Sequence, residues 1–232
     1  MTKQVIFTAI ALIATIILFE FSDLDLQVQD YFYNTQLQQW LISEDNALLD
    51  LIFYSGIKKI FIAFAASLLL ALIFFYNTRL IQSYKQGIII VLLSLIIIPS
   101  VIGLLKAVTN VPCPNDLALY DGNYPHVTFL SAYPENFIQK KKVKCFPAGH
   151  ASGGFALMSL FFFFKTQRNK RIALASALVI GWSTGSYKMF IGDHFLSHTV
   201  VTMLIAWLLI IIIVKGVRFS LPKTHHDESD AS

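Results

Sequence analysis

Charge is what this 232-residue chain has least of, since 14% of its residues are Asp, Glu, Lys or Arg, against roughly 25% in an ordinary soluble domain. A soluble globule of this make-up would have too little polar surface to cover itself. Hydrophobic residues reach 56%, with 20 Phe, 9 Tyr and 3 Trp among them. The net charge is only +4 and no concentrated basic stripe is present, which excludes nucleic acid as a partner. Internal repeats and low-complexity segments are also lacking. No small-x-small cleavage site follows the first apolar stretch after Lys3, and Phe19-Glu20-Phe21 is bulky, so that stretch reads as a retained helix and not a signal peptide.

What is present is a set of apolar runs free of charge: Val5–Phe19, Ile60–Tyr76, Ile88–Leu105, His150–Phe164, Ile172–Tyr187 and Phe195–Val214. Each approaches the ~20 residues that a helix needs to cross a bilayer. The expected fold is therefore all-α, a polytopic membrane protein whose residues 1–214 form a single domain of six transmembrane helices. The connections Asn77–Gly87 and Lys165–Arg171 carry only positive charge, as does the N-terminus with Lys3, so these face the cytoplasm. The long connections Ser22–Lys59 and Ala107–Phe146 then lie outside, with 11 of the 14 acids falling between Glu20 and Asp193. Lys140, Lys141, Lys142 and Lys144 stand on that outer side against the rule. Residues 215–232 turn polar and acidic and read as a solvated, disordered cytoplasmic tail, within which His225 and His226 are solvated as well.

A connection as long as Ala107–Phe146 is functional or disordered in so compact a chain. It holds four prolines, several aromatics and the only two cysteines, Cys113 and Cys145. On the oxidising side of a membrane these are expected to pair, closing a loop whose chain entropy contributes roughly 3–4 kcal/mol of stability. The bridge would tie the segment after Lys106 to the segment before His150.

Ionisable residues gather at those places. Lys106 closes the third run, His150 opens the fourth, Lys188 ends the fifth, and His194 and His198 stand near the start of the sixth. Ionisable groups at the edge of apolar helices are costly and point to function. In Phe146-Pro147-Ala148-Gly149-His150, the proline suits a turn into a helix, Gly149 admits close backbone approach, and the free N–H groups of the helix start form an anion site. If the chain is helical beyond Gly192, His194 and His198 share one face at four-residue spacing. Two lysines to neutralise phosphate oxygens, one histidine to attack phosphorus and another to protonate the leaving oxygen suit phosphoryl transfer without a metal. The active site is thus expected on a helical bundle at the outer membrane face.

These residues resemble the type-2 phosphatidic acid phosphatase superfamily, whose signature is Lys-x6-Arg-Pro, Pro-Ser-Gly-His and Ser-Arg-x5-His-x3-Asp. Here the pieces read Lys106-x6-Cys113-Pro114, Pro147-Ala148-Gly149-His150 and Tyr187-Lys188-x5-His194-x3-His198. The resemblance implies that His194 is the nucleophile forming a phosphohistidine, that His150 is the general acid, and that Lys106, Gly149 and Lys188 bind phosphate. His198 takes the place of the orienting aspartate. It implies a phosphatase of the bacterial inner membrane, with both termini cytoplasmic and no cofactor. The substrate class is a lipid phosphate or diphosphate: phosphatidylglycerophosphate, undecaprenyl diphosphate or the phosphates of lipid A.

Four positions depart from the signature: Cys113 for arginine, Ala148 for serine, Lys188 for arginine and His198 for aspartate. Lys188 keeps charge but loses the planar fork. The run Lys140–Lys144 is a candidate source of a replacement donor, and Asp193, Asp116, Asp121 or Glu135 of a replacement carboxylate. A lipid phosphotransferase with the same intermediate, a membrane protein holding zinc through His194, His198 and either His150 or Asp193, and a non-catalytic lipid-binding protein remain as alternatives.

Overall fold

The structure, a computed structural model, describes residues 2–221; most of the expected tail, with His225 and His226, lies outside them. Helix α1 (Thr2–Glu20) is followed by the short α2 (Leu24–Asp30) and by an antiparallel pair, β1 (Tyr33–Asn34) with β2 (Gln39–Trp40), in which Tyr33 faces Trp40. Helix α3 (Ala47–Asp50) runs through a wide turn at Leu51–Ser55 into α4 (Gly56–Phe74). Next come α5 (Arg79–Thr109), α6 (Gly149–Ala156) with a tighter 3₁₀ continuation over Leu157–Phe162, α7 (Gln167–Phe190) and α8 (Leu196–Ser220).

Six helical segments thus match the six apolar runs, and among the described residues four helices are long and apolar enough to cross a membrane by length and composition: those beginning at Thr2, Ala47, Arg79 and Leu196. The α6 segment is short, and α7 carries Arg168, Lys170 and Arg171 at its start and Ser183, Thr184, Ser186 and Lys188 toward its end, which dilute its apolarity. Connection 22–59 is no open loop, since it contains α2, the β pair, α3 and the start of α4. At the other end, α8 continues through Lys215–Ser220, so the first part of the expected tail is helical.

Helix boundaries follow local chemistry. Thr78 and Thr166 accept hydrogen bonds from Ile81 N–H and Asn169 N–H, satisfying donors left free at the starts of α5 and α7. Both helices therefore begin among residues that composition alone assigns to connections. Helix α7 ends where Gly192 adopts φ +80°, the left-handed region open to glycine.

The core lies where α5, α6, α7 and α8 meet, around Ile90, Ile98, Ile102, Ala151, Phe155, Ala177, Ala206 and Ile210. Small residues let α6 and α7 approach closely. A Cβ on Gly154 would stand 2.6 Å from the Gly181 Cα, so the crossing depends on both glycines. Helix α1 packs along α8, and α4 along α5.

One end of this bundle carries the polar lobe. Glu20 accepts hydrogen bonds from Thr128 Oγ1, Leu130 N–H and Ser131 Oγ, holding the long connection to the end of α1. Gln29 donates to the Met189 carbonyl at 2.8 Å, docking α2 on α7. Asp25 accepts from Ser197 N–H at 2.8 Å, capping α8 from another helix. Burial raises this carboxyl to a pKa of about 6, against the lowering effect of its bonds to Ser197.

Candidate active site

The expected disulfide Cys113–Cys145 is present, with Cα atoms 5.2 Å apart across a separation of 32 residues. Cys145 N–H also bonds to the Val111 carbonyl at 3.2 Å, so the segment leaving α5 and the segment entering α6 run side by side. Lys106 in the last turn of α5 is thereby brought against the first residue of α6. A Cβ on Gly149 would stand 4.0 Å from Lys106 Nζ. The ammonium group and the unpaired N–H groups of the α6 start form one electropositive mouth.

At the far side of that mouth, the Gly192 turn folds the chain back on the end of α7. Asp193 N–H and His194 N–H both donate to the Lys188 carbonyl, at 2.8 and 3.2 Å. His194 therefore precedes α8 and does not lie on it, which corrects the expectation of a shared helical face. His194 and His198 still meet, with Nδ1 atoms 3.4 Å apart, because the turn projects His194 over the first turn of α8. The other nitrogen of His194, Nε2, lies 3.1 Å from His150 Nδ1. His194 and His198 are 1% and 2% exposed, so solvent does not compete for these bonds.

The row of three imidazoles has a chemical polarity. Attack through His194 Nε2 requires its proton on Nδ1, and His198 Nδ1 is the acceptor within reach. His150 then donates toward the Nε2 lone pair. Burial, followed by the neighbouring imidazoles of His150 and His198 and the ammonium groups of Lys106 and Lys188, holds the His194 pKa well below the ordinary histidine value. The ring is consequently neutral, the form a nucleophile requires. Phe146 and Phe195 pack edge-on against His198, with ring centroids 5.2 and 5.4 Å away, and fix its plane.

Lys188 is 6% exposed and forms an ion pair with Asp193 at 2.7 Å. The second Asp193 oxygen accepts from Asn115 Nδ2 at 3.2 Å, and Asn115 N–H bonds to the Gly192 carbonyl at 2.9 Å. The turn following Cys113 therefore buttresses the loop that bears His194. Tyr54 was not singled out in the sequence, yet its ring centroid lies 4.7 Å from that of His150 and 5.0 Å from Lys188 Nζ. Its signal is the pair Tyr54 and Lys58, one turn apart where an apolar run begins.

The four departures have local consequences. Cys113 is committed to the disulfide, and its partner Cys145 Sγ lies 3.7 Å from His194 Nδ1. Ala148 is fully buried, its carbonyl accepting from Thr202 Oγ1 at 3.3 Å and its N–H donating to the His198 carbonyl at 3.2 Å. Lys140, Lys141, Lys142 and Lys144 of the basic run are all exposed. Among the described residues, none of the four candidate carboxylates makes a hydrogen bond to an imidazole. Asp193 serves Lys188, Asp116 accepts from Cys113 N–H, and Asp121 accepts from Tyr33 and Gln38, while Glu135 makes no side-chain bond among the described residues. The side chain within hydrogen-bond reach of His194 Nδ1 is instead His198.

His150, His194 and His198 do not bring three nitrogens to one point, as a zinc site made of those three would require. His150 meets one nitrogen of His194 and His198 the other, on opposite edges of the ring. Cys145, His194 and His198 do bring potential ligand atoms within 4.8 Å, but Cys145 is bridged to Cys113, and the thiolate is the zinc ligand.

Residues 87–221 match the family model described as PAP2 superfamily, a stretch that includes Lys106, both cysteines and all three site histidines. No curated protein matches the chain, and no solved structure does.

Proposed function

The chain belongs to the PAP2 superfamily, whose members imply phosphatase activity on phosphate esters, and we propose that it is a metal-independent phosphatase acting on a membrane lipid phosphate through a phosphohistidine at His194. The observation that carries this reading is the buried row His150–His194–His198 beside Lys106 and Lys188.

In the proposed cycle the phosphate enters between Lys106, Lys188 and the α6 start, displacing Asp193 from Lys188 and parting His150 from His194. Nε2 of His194 attacks phosphorus while its Nδ1–H is held by His198, which stabilises the charge growing on the ring. His150, charged in the presence of the bound dianion, gives its proton to the leaving oxygen and then takes one from the water that opens the phosphohistidine. Lysine in place of the signature arginine binds phosphate as a point charge and not as a fork.

Lipid as the substrate class is supported by a cleft of about 520 Å³ beside the site, lined by Phe53, Ile57, Phe61, Ile62, Leu95, Ile96, Pro99, Gly149 and His150 among others. Pro99 has no N–H for the Leu95 carbonyl, and both residues line this cleft. An acyl or prenyl chain fits such a surface. In this reading the four long apolar helices cross the inner membrane on their own, and α6 and α7 complete a bundle of six segments because α5 and α8 shelter them from lipid. The cationic starts of α5 and α7 are cytoplasmic, and the disulfide lobe faces outward.

Phosphate release by the purified protein in detergent, from a panel of lipid phosphates, tests the proposal. Release that survives EDTA, stops with vanadate and is absent from His194→Ala is expected. Equal slow release by wild type and His194→Ala on every substrate would remove the enzyme claim, and loss of activity to EDTA would revive the metal reading.

A further inference from the structure

The cleft beside His150 contains a charge that the phosphatase cycle above leaves unused. Among the residues lining it, Lys58 is the single formal cation, and no carboxylate lines it. The only ion pair among the described residues is Lys188–Asp193, so Lys58 has no acidic partner there. Lys58 stands one helical turn beyond Tyr54, about 6 Å along the axis, and Tyr54 packs on both His150 and Lys188. Lys58 and its neighbour Lys59 are both exposed, and of the two Lys58 alone lines the cleft. Its stem covers apolar surface while its exposed ammonium stays in water at the cleft mouth, where an anion entering the cleft can take the place of that water.

The position of Lys58 has a chemical meaning because the cleft lies on the side of His150. Nε2 of the nucleophile faces His150, so the group departing from phosphorus leaves toward that side, and the apolar chain attached to it lies in the cleft. A cation between His150 and the chain meets whatever joins the scissile phosphate to the lipid. If that joint is an alcohol oxygen, Lys58 has nothing to neutralise. If it is a second phosphate, Lys58 meets its oxygens.

We propose that Lys58 is a specificity-determining residue that reads the chain-proximal phosphate of a lipid diphosphate. The proposal rests on the phosphatase reading above. His194 Nε2 forms a bond to the terminal phosphorus, and the bond from that phosphorus to the bridging oxygen breaks. The electron pair stays on the bridging oxygen, which takes the proton of His150 and becomes part of the lipid monophosphate held by Lys58. Water then adds to the phosphohistidine, its proton passes to His150, and the P–N electron pair returns to His194 as inorganic phosphate leaves.

The test uses farnesyl diphosphate and farnesyl monophosphate with the full chain in a nonionic detergent, which supplies no anionic headgroups. The readout is the ratio of kcat/KM for the two substrates in wild type, Lys58→Gln and Lys59→Gln. Loss of one charge-assisted hydrogen bond lowers that ratio about ten- to a hundredfold in Lys58→Gln, while Lys59→Gln keeps the wild-type ratio. Monophosphate turnover reports that each variant is folded. An unchanged ratio in Lys58→Gln, or an equal fall in both lysine variants, overturns the assignment and leaves the phosphatase reading intact. Turnover of neither substrate by wild type would count against both.

Discussion

Helices α4 and α8 are both apolar enough to cross a membrane, yet 44% of the most apolar stretch of α8 is buried inside the protein and none of that of the helix containing α4 is. Their polar residues explain the contrast. Helix α8 buries Ser197, His198, Thr199 and Thr202, each on a face that meets the site or a neighbouring helix; Gly185 of α7, for example, leaves just enough room for Thr199. Helix α4 offers only Lys58, Lys59 and Ser67 as polar side chains, and its one packed face borders the cleft. Apolarity identifies the solvent of a helix, and the placement of its few polar groups identifies its partners.

The difference can be broken by substitution, and the largest effect is expected at the buried site. His194→Ala should lower phosphate release by a factor on the order of 10⁴ or more, the scale seen when a nucleophile is removed; a residual rate near wild type would move the nucleophile elsewhere. Converting Cys113 and Cys145 together to serine should lower unfolding stability by roughly 3–4 kcal/mol, measured in detergent, because the bridge restrains the segments that carry Lys106 and Gly149. At the crossing of α6 and α7, Gly154→Ala places a methyl against Gly181 and should cost about 1–3 kcal/mol. Leu69→Ala on the exposed face of α4 should change stability by less than about 0.5 kcal/mol. A loss there as large as at Gly154 would mean that α4 is buried against a partner.

Acidity sharpens the same contrast. The folded-state pKa of His194 lies well below its unfolded value, so below an unfolded pKa of roughly 6.5 the unfolded chain binds a proton that the folded chain refuses. Its contribution to stability is fully present above that pH and is lost as pH falls, by about 1.4 kcal/mol per unit. Thermal unfolding of wild type should thus worsen between pH 7.5 and 5.5 more than that of His194→Gln, and parallel curves would contradict a buried neutral imidazole.

Much of this was legible in the sequence, and the parts that were not share a cause. Apolar runs located every long helix because hydropathy integrates over many residues. Their starts were shifted because Thr78 and Thr166 cap through single hydrogen bonds that hydropathy does not register. The small elements of residues 22–59 stayed hidden because long-range contacts hold them: Gln29 to Met189, and Trp40 against Gly192. At the site, Lys106, His150, Lys188, His194 and His198 were visible through motif spacing and the disulfide through its two isolated cysteines. Helical spacing gave the right neighbours for the wrong reason, since His194 reaches His198 through the Gly192 turn. Asp193 as the partner of Lys188, and Tyr54 over His150, depend on tertiary packing and left no periodic trace.

The central claim is that His194 carries the phosphoryl group, and trapping it is the most direct measurement. Wild-type protein mixed with a lipid phosphate labelled in the scissile group, quenched within a turnover and digested, should yield an acid-labile, base-stable phosphate on the peptide containing His194. The label should be absent when His194 is replaced and should persist longer when His150 is. Product formation without any labelled peptide, or with label on another residue, would contradict the account.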